Sequence, residues 1–202
     1  MSCNDMGVLN ASWGICGFSS SLYALYQHSP TQQSRLAQAG RTTTRVLAEI
    51  KTYLVMLQAD ARYDLLGAIE TFTQSFGGDF AKFTIPGFIM RINNIVTLGD
   101  QALIDLKDDD TWGIAMPPLA VVDYLKRMCD LRIARLVKTN LHSELILGLC
   151  GKKMHLYNGL EHYVYRLNGK VYSWGQQFNS VEAAALSVRE PTWYVGYRIA
   201  IT

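Results

Sequence analysis

The chain is poor in the residues from which metal cages and disulfide frameworks are built. It has four cysteines and four histidines in 202 residues, and Cys3, Cys16, Cys129 and Cys150 show neither C-x-x-C spacing nor paired histidines at ligand steps. A structural zinc site is therefore not expected. So sparse and irregular a set points to free thiols, and Cys129 and Cys150, within apolar runs, read as core residues. Charge is scarce too: 18% of residues are charged, and the net charge of +2 comes without any basic block. Nucleic-acid binding by a charged stripe is thereby unsupported. No apolar run approaches the ~18–20 residues that span a bilayer. The opening segment MSCNDMGVLNASWG lacks a basic region followed by a long apolar one, so no secretory signal is read there. The expectation is a protein made and folded in a cytosol, with no membrane span. Asp108-Asp109-Asp110 is the single acidic run. Its carboxylates are adjacent rather than spaced, which favours a solvated loop or helix start over a cation site. No metal and no organic cofactor is called for.

Hydrophobic residues make up 49% of the sequence, enough for one folded domain over 1–202 with a proper core. The first 30 residues hold one helix, 31–142 is mostly helical, and 143–202 changes to the period of strands. In the middle, Val46, Leu47, Ile50, Tyr53, Leu54 and Leu57 recur at helical steps. So do Leu65, Leu66, Ile69, Phe72 and Phe76, ahead of Gly77-Gly78. A third helix follows Ile85-Pro86-Gly87, and a fourth begins at Pro117-Pro118 and runs through Leu119, Val122, Leu125 and Met128. This middle is either helical ballast or a substrate-recognition insert, and the pattern does not separate the two. From Ser143 onward 143–151, 152–158, 160–167, 170–178 and 192–202 read as about five strands, with a short helix over 180–187. Helices first and antiparallel strands last define an α+β fold.

Two stretches carry chemistry. In Asn10–Tyr26, NASWGICGFSSSLYALY, Gly14 and Gly17 flank Cys16 just where an apolar helical period starts. A thiol at a helix N-terminus meets unpaired N–H groups and the positive end of the helix dipole, both of which favour the thiolate. The competing reading is a buried structural cysteine. The second stretch is LEHYVYRLNGKVYSWGQQF, in which Asn168-Gly169 between two aromatic, β-branched runs signals a two-residue hairpin. Counting outward from Leu167 and Lys170 sets Val164 opposite Ser173 and His162 opposite Gly175. His162 then shares a face with Ser173 and Gln177, while Tyr163, Tyr165, Tyr172 and Trp174 take the other. His162 is the candidate base, with His155 as its rival, and Gln177 is chosen over Ser173 to hold the ring.

A cysteine opening an N-terminal helix, followed much later by a histidine entering a strand hairpin, resembles the papain-like cysteine hydrolases, including the NlpC-type cell-wall peptidases. The resemblance covers about the first 25 residues and the last 60. It implies a papain-like fold in which the Cys16 helix packs on the C-terminal sheet. It also implies a Cys16–His162 pair that cleaves an amide bond, oriented by Gln177. Asn10, six residues before Cys16, would stand where papain has its oxyanion glutamine. Hydrolases of this size without a signal further resemble bacterial effector toxins delivered by specialised secretion systems. That implies peptidoglycan peptides as substrate and a cognate immunity protein as partner. The alternatives are a glutamine deamidase or protease acting on a host protein, and a catalytically inactive papain-fold binding module.

Overall fold

The computed structural model describes residues 14–28, 42–98 and 112–201. These form six α-helices: α1 (Cys16–His28), α2 (Thr42–Ala59), α3 (Tyr63–Gln74), α4 (Ile85–Leu98), α5 (Pro118–Met128) and α6 (Val181–Ser187). They also form one antiparallel sheet of six strands, β1 (Arg135–Leu136), β2 (Glu144–Cys150), β3 (Leu160–Leu167), β4 (Lys170–Ser173), β5 (Gln176–Phe178) and β6 (Tyr194–Ala200). The class is α+β. Across the sheet the order is β1-β6-β2-β3-β4-β5. Asn10 and Asp108-Asp109-Asp110 lie outside the described residues.

Helical periodicity decides which faces are buried. Val46, Leu47, Ile50, Tyr53, Leu54 and Leu57 of α2 are all sealed from solvent, and each such side chain contributes roughly 1.5–3 kcal/mol. Phe18, Tyr53 and Tyr124 from α1, α2 and α5 meet edge to face, with ring centroids 5.0 to 6.1 Å apart. Asp123 fastens the same region: the Tyr53 hydroxyl is 3.1 Å from it, and Arg62 and Arg127 both pair with it. α5 starts at Pro118, where a missing N–H costs nothing. α6 is capped by Ser180, whose hydroxyl accepts from the Ala183 N–H at 3.1 Å.

The sheet is covered on both sides. Its inner face, with Ile146, Tyr163, Tyr165 and Ile199, joins the core formed by α1 to α5. Its outer face, with Leu145, Leu147, Leu149, Val164 and Val171, packs under α6 and against Trp174 and Trp193. That is why ELILGLC in β2 is apolar at almost every position rather than at alternate ones: all seven residues are buried.

Three strand expectations are corrected. The stretch 152–158 is no strand. Tyr157 and Asn158 take left-handed φ values of 49° and 54° within a 3-10 turn, Leu156–Gly159, that ends at Gly159. The stretch 170–178 is two strands, because Trp174 and Gly175 also have positive φ (45° and 75°) and turn the chain back on itself. Arg135–Leu136, within the expected helical middle, adds a short edge strand against β6. The Asn168-Gly169 hairpin forms in the expected register, Leu167 opposite Lys170 and Tyr165 opposite Tyr172. The pairing stops at Tyr165, so the further counting to Val164–Ser173 and His162–Gly175 is not realised.

Candidate active site

α1 begins where two segments clamp it. Gly14 forms a parallel bridge with Gly113, its N–H donating to Trp112 O (3.3 Å) and its carbonyl accepting from Ile114 N–H (3.1 Å). A Cβ on Gly113 would come within 3.2 Å of the Gly14 backbone, so a larger residue would press the two segments apart by a few tenths of an ångström. Helical bonding then starts with Phe18 and Ser19 N–H donating to Ile15 O, which leaves the earlier N–H groups of the first turn free for other acceptors. On its far side α1 lies against the edge of β3 that β4 has left. Ser20 donates its hydroxyl to Tyr163 O at 3.2 Å, and Tyr163 donates its own to Met116 O at 3.0 Å.

Cys16 is half-buried in this clamp. Burial pushes its thiol up to about 11, against the opposing pull of the backbone N–H groups of Tyr163, Gly17 and Cys16 itself. The thiolate expected from a helix terminus is therefore not the resting state, because desolvation outweighs the local dipoles. The sulfur nevertheless sits within a ring of backbone donors.

His162 enters β3 beside a bulge. Leu149 pairs with His162 but Cys150 pairs with Leu160, so Glu161 is the extra residue and the strand bends there. The register puts the His162 side chain with Leu149 on the outer face, whereas Cys16 approaches from the inner one. The ring is 7% exposed. Its Nε2 lies 2.8 Å from Ser173 Oγ, Trp174 stacks on it at 4.1 Å and 8°, and Trp193 lies beside it at 5.7 Å. Burial pushes the imidazole down to about 3, so it rests neutral. Glu161 steadies Trp193, accepting from its indole N–H at 2.8 Å and from Lys153 N–H at 2.9 Å.

Cys16 and His162 are both in the lining of one cavity of about 120 Å3. Phe72, Phe76, Met116, Leu160 and Trp174 complete most of its lining. Gln177 is not brought there: the turn at Trp174-Gly175 carries it to β5, exposed, opposite Tyr172. Ser173, weighed against it in the sequence, is the residue at the ring. Trp174, assigned by alternation to the opposite face from His162, stacks on it for the same reason. His155 is exposed in the loop before β3. Cys129 and Cys150 are buried, as their apolar surroundings imply. Phe72 and Phe76 carry no signal in the sequence beyond helical spacing, and Trp193 carries none.

Among the described residues no group of three or more His, Cys, Asp or Glu side chains gathers in a metal-binding arrangement. No helix among them is long and apolar enough to cross a membrane. No protein-family model, no curated protein and no solved structure matches the chain.

Proposed function

We propose that the chain is a cysteine hydrolase of amide bonds, with Cys16 as nucleophile and His162 as base. The observation that carries this reading is that both line one cavity while Ser173 holds His162 Nε2 beneath the Trp174 ring. That arrangement holds the orientation of a buried ring, part of the task of the third member in nucleophile–base sites. Ser173 itself is fully buried, so it orients the ring and does not attack substrate.

With thiol and imidazole both neutral at rest, the proton passes to His162 as sulfur attacks, as in general-base catalysis. A bond forms between Cys16 Sγ and the substrate carbonyl carbon. Backbone N–H groups around the sulfur stabilise the oxyanion, and Asn10 is the proposed further donor. The C–N bond then breaks, the amine leaves with the proton from the imidazole, and water attacks the thioester with His162 again as base, returning acid and free thiol. Hydrolysis of a peptide and deamidation of a glutamine share this intermediate. Peptidoglycan peptides as substrate, delivery outside the producing cell and a cognate immunity protein belong to the proposal through the resemblance alone.

The burial of the thiol favours a second reading, a binding module in which the cavity takes a ligand without chemistry. A peptidyl vinyl sulfone separates the two. The hydrolase is expected to gain one probe mass in intact-protein mass spectrometry, with labelling lost in Cys16→Ala and at least tenfold slower in His162→Ala. Labelling of Cys16 at an unchanged rate in the His162 variant sinks the hydrolase and leaves the binding module.

A further inference from the structure

We infer that the surface around the loop joining β1 to β2 docks on an anionic lipid bilayer, with Leu141 as the side chain that enters the lipid. The stretch 132–143 holds Arg132, Arg135 and Lys138 and neither aspartate nor glutamate. Folding adds cations from distant strands. Arg135 pairs with Ala200, Ala200 with Leu145 and Leu145 with Arg166, so the four form one row across β1, β6, β2 and β3. Ala200 and Leu145 belong to the outer layer, which puts both arginines on the outer face. Arg198, two residues before Ala200, shares that face. The ion pairs among the described residues give Asp130 to Arg132 and no carboxylate to Arg135, Lys138, Arg166 or Arg198. Glu144, which follows the stretch, is buried and accepts from the Tyr165 hydroxyl on the inner face. The outer face therefore carries uncompensated positive charge here.

Two of these arginines strap the loop to the sheet. Arg166 Nη2 donates to Asn140 O at 3.0 Å and to His142 O at 2.5 Å, and Arg198 Nε donates to Asn140 Oδ1 at 2.6 Å. Leu141 lies between the two tethered residues and is 90% exposed. A single exposed leucine is unremarkable. This one is held out by a pinned loop among unpaired cations, with Lys138 exposed nearby in the chain and Ile133, just ahead of β1, 55% exposed. Aliphatic side chains gain by entering the acyl boundary of a bilayer, while the arginines and lysine around them meet phosphate headgroups. A nucleic acid would use the cations but not the leucine, and 132–143 has no aromatic ring on which a base could stack. None of these residues lines the cavity beside Cys16, so the surface stands apart from the hydrolase reading.

The test is flotation of the full chain with vesicles of phosphatidylcholine, alone or carrying about 30% phosphatidylglycerol. Binding to the anionic vesicles is expected to be at least about tenfold tighter than to the neutral ones. It should fall by a similar factor between about 0.1 M and about 0.5 M sodium chloride. Leu141→Ser is expected to weaken binding at least about fivefold, and so is the pair Arg135→Gln with Lys138→Gln. These side chains are exposed, and an unchanged circular dichroism spectrum and urea midpoint check that each variant folds. Equal affinity for the two kinds of vesicle, or no flotation with either, overturns the inference. Unchanged binding in folded Leu141→Ser overturns it as well, because a basic face that adsorbs without the leucine would take a DNA duplex or any other polyanion equally.

Discussion

Cys16 is pulled in two directions. The N–H groups of Cys16, Gly17 and Tyr163 favour the thiolate, and the packing around it favours the thiol; packing wins, to about 11. Against the ordinary value of 9.0 that leaves about a hundredfold less thiolate at neutral pH. Iodoacetamide reports this directly, since it reacts with the thiolate. At pH 8 alkylation of Cys16, resolved by peptide mass mapping, is expected about a hundredfold slower than that of an unhindered cysteine. The rate should climb about tenfold per pH unit towards pH 11. A rate already level by pH 7 would mean that thiol and imidazole rest as an ion pair, contrary to the burial of both.

At the scale of elements, the site depends on how β3 is entered and how β4 is left. Both transitions use left-handed residues, and only some of these are visible in a sequence. Asn168-Gly169 is legible because both residue types tolerate positive φ. Trp174-Gly175 is not, because a tryptophan at φ 45° is held there by its stack on His162 rather than by local preference. The misread turn sent Gln177 to the imidazole in the expected register and hid Ser173. Entry to β3 is through Gly159, at φ 81°, where a Cβ would lie 2.2 Å from Gly151 O. That carbonyl cannot move freely, since Gly151 N–H and Gly159 O close the same loop at 2.8 Å. Gly159→Ala is therefore expected to cost at least about 2 kcal/mol, read as a lower urea midpoint, and to reduce His162-dependent labelling. A variant with wild-type stability would show that the loop re-closes without moving β3.

At the scale of the whole molecule, the chain folds as helices on the inner face of a sheet and a short helix on the outer one, and His162 belongs to the outer layer. The α+β order and the helix faces were legible because periodicity is local; the meeting of Phe76, Met116 and Trp174 around Cys16 was not, because it joins segments far apart in sequence. The buried ring has a consequence for the entire fold. Unfolded, His162 takes a proton below about 6.5; folded, it resists until about 3. Between those values the unfolded state binds more protons, so stability rises with pH there. The contribution is complete above pH 6.5 and is lost as pH falls towards 3, by up to ~1.4 kcal/mol per pH unit. Carboxylates titrate in the same window, so the measurement is a difference. His162→Gln carries no titratable ring, keeps a polar atom for Ser173, and leaves distant acids to cancel. The gap in unfolding free energy between wild type and variant is expected to be constant above pH 6.5 and to shift steadily against the wild type below it. Parallel curves from pH 8 to pH 4 would place the imidazole in water, contrary to its burial under Trp174 and beside Ser173.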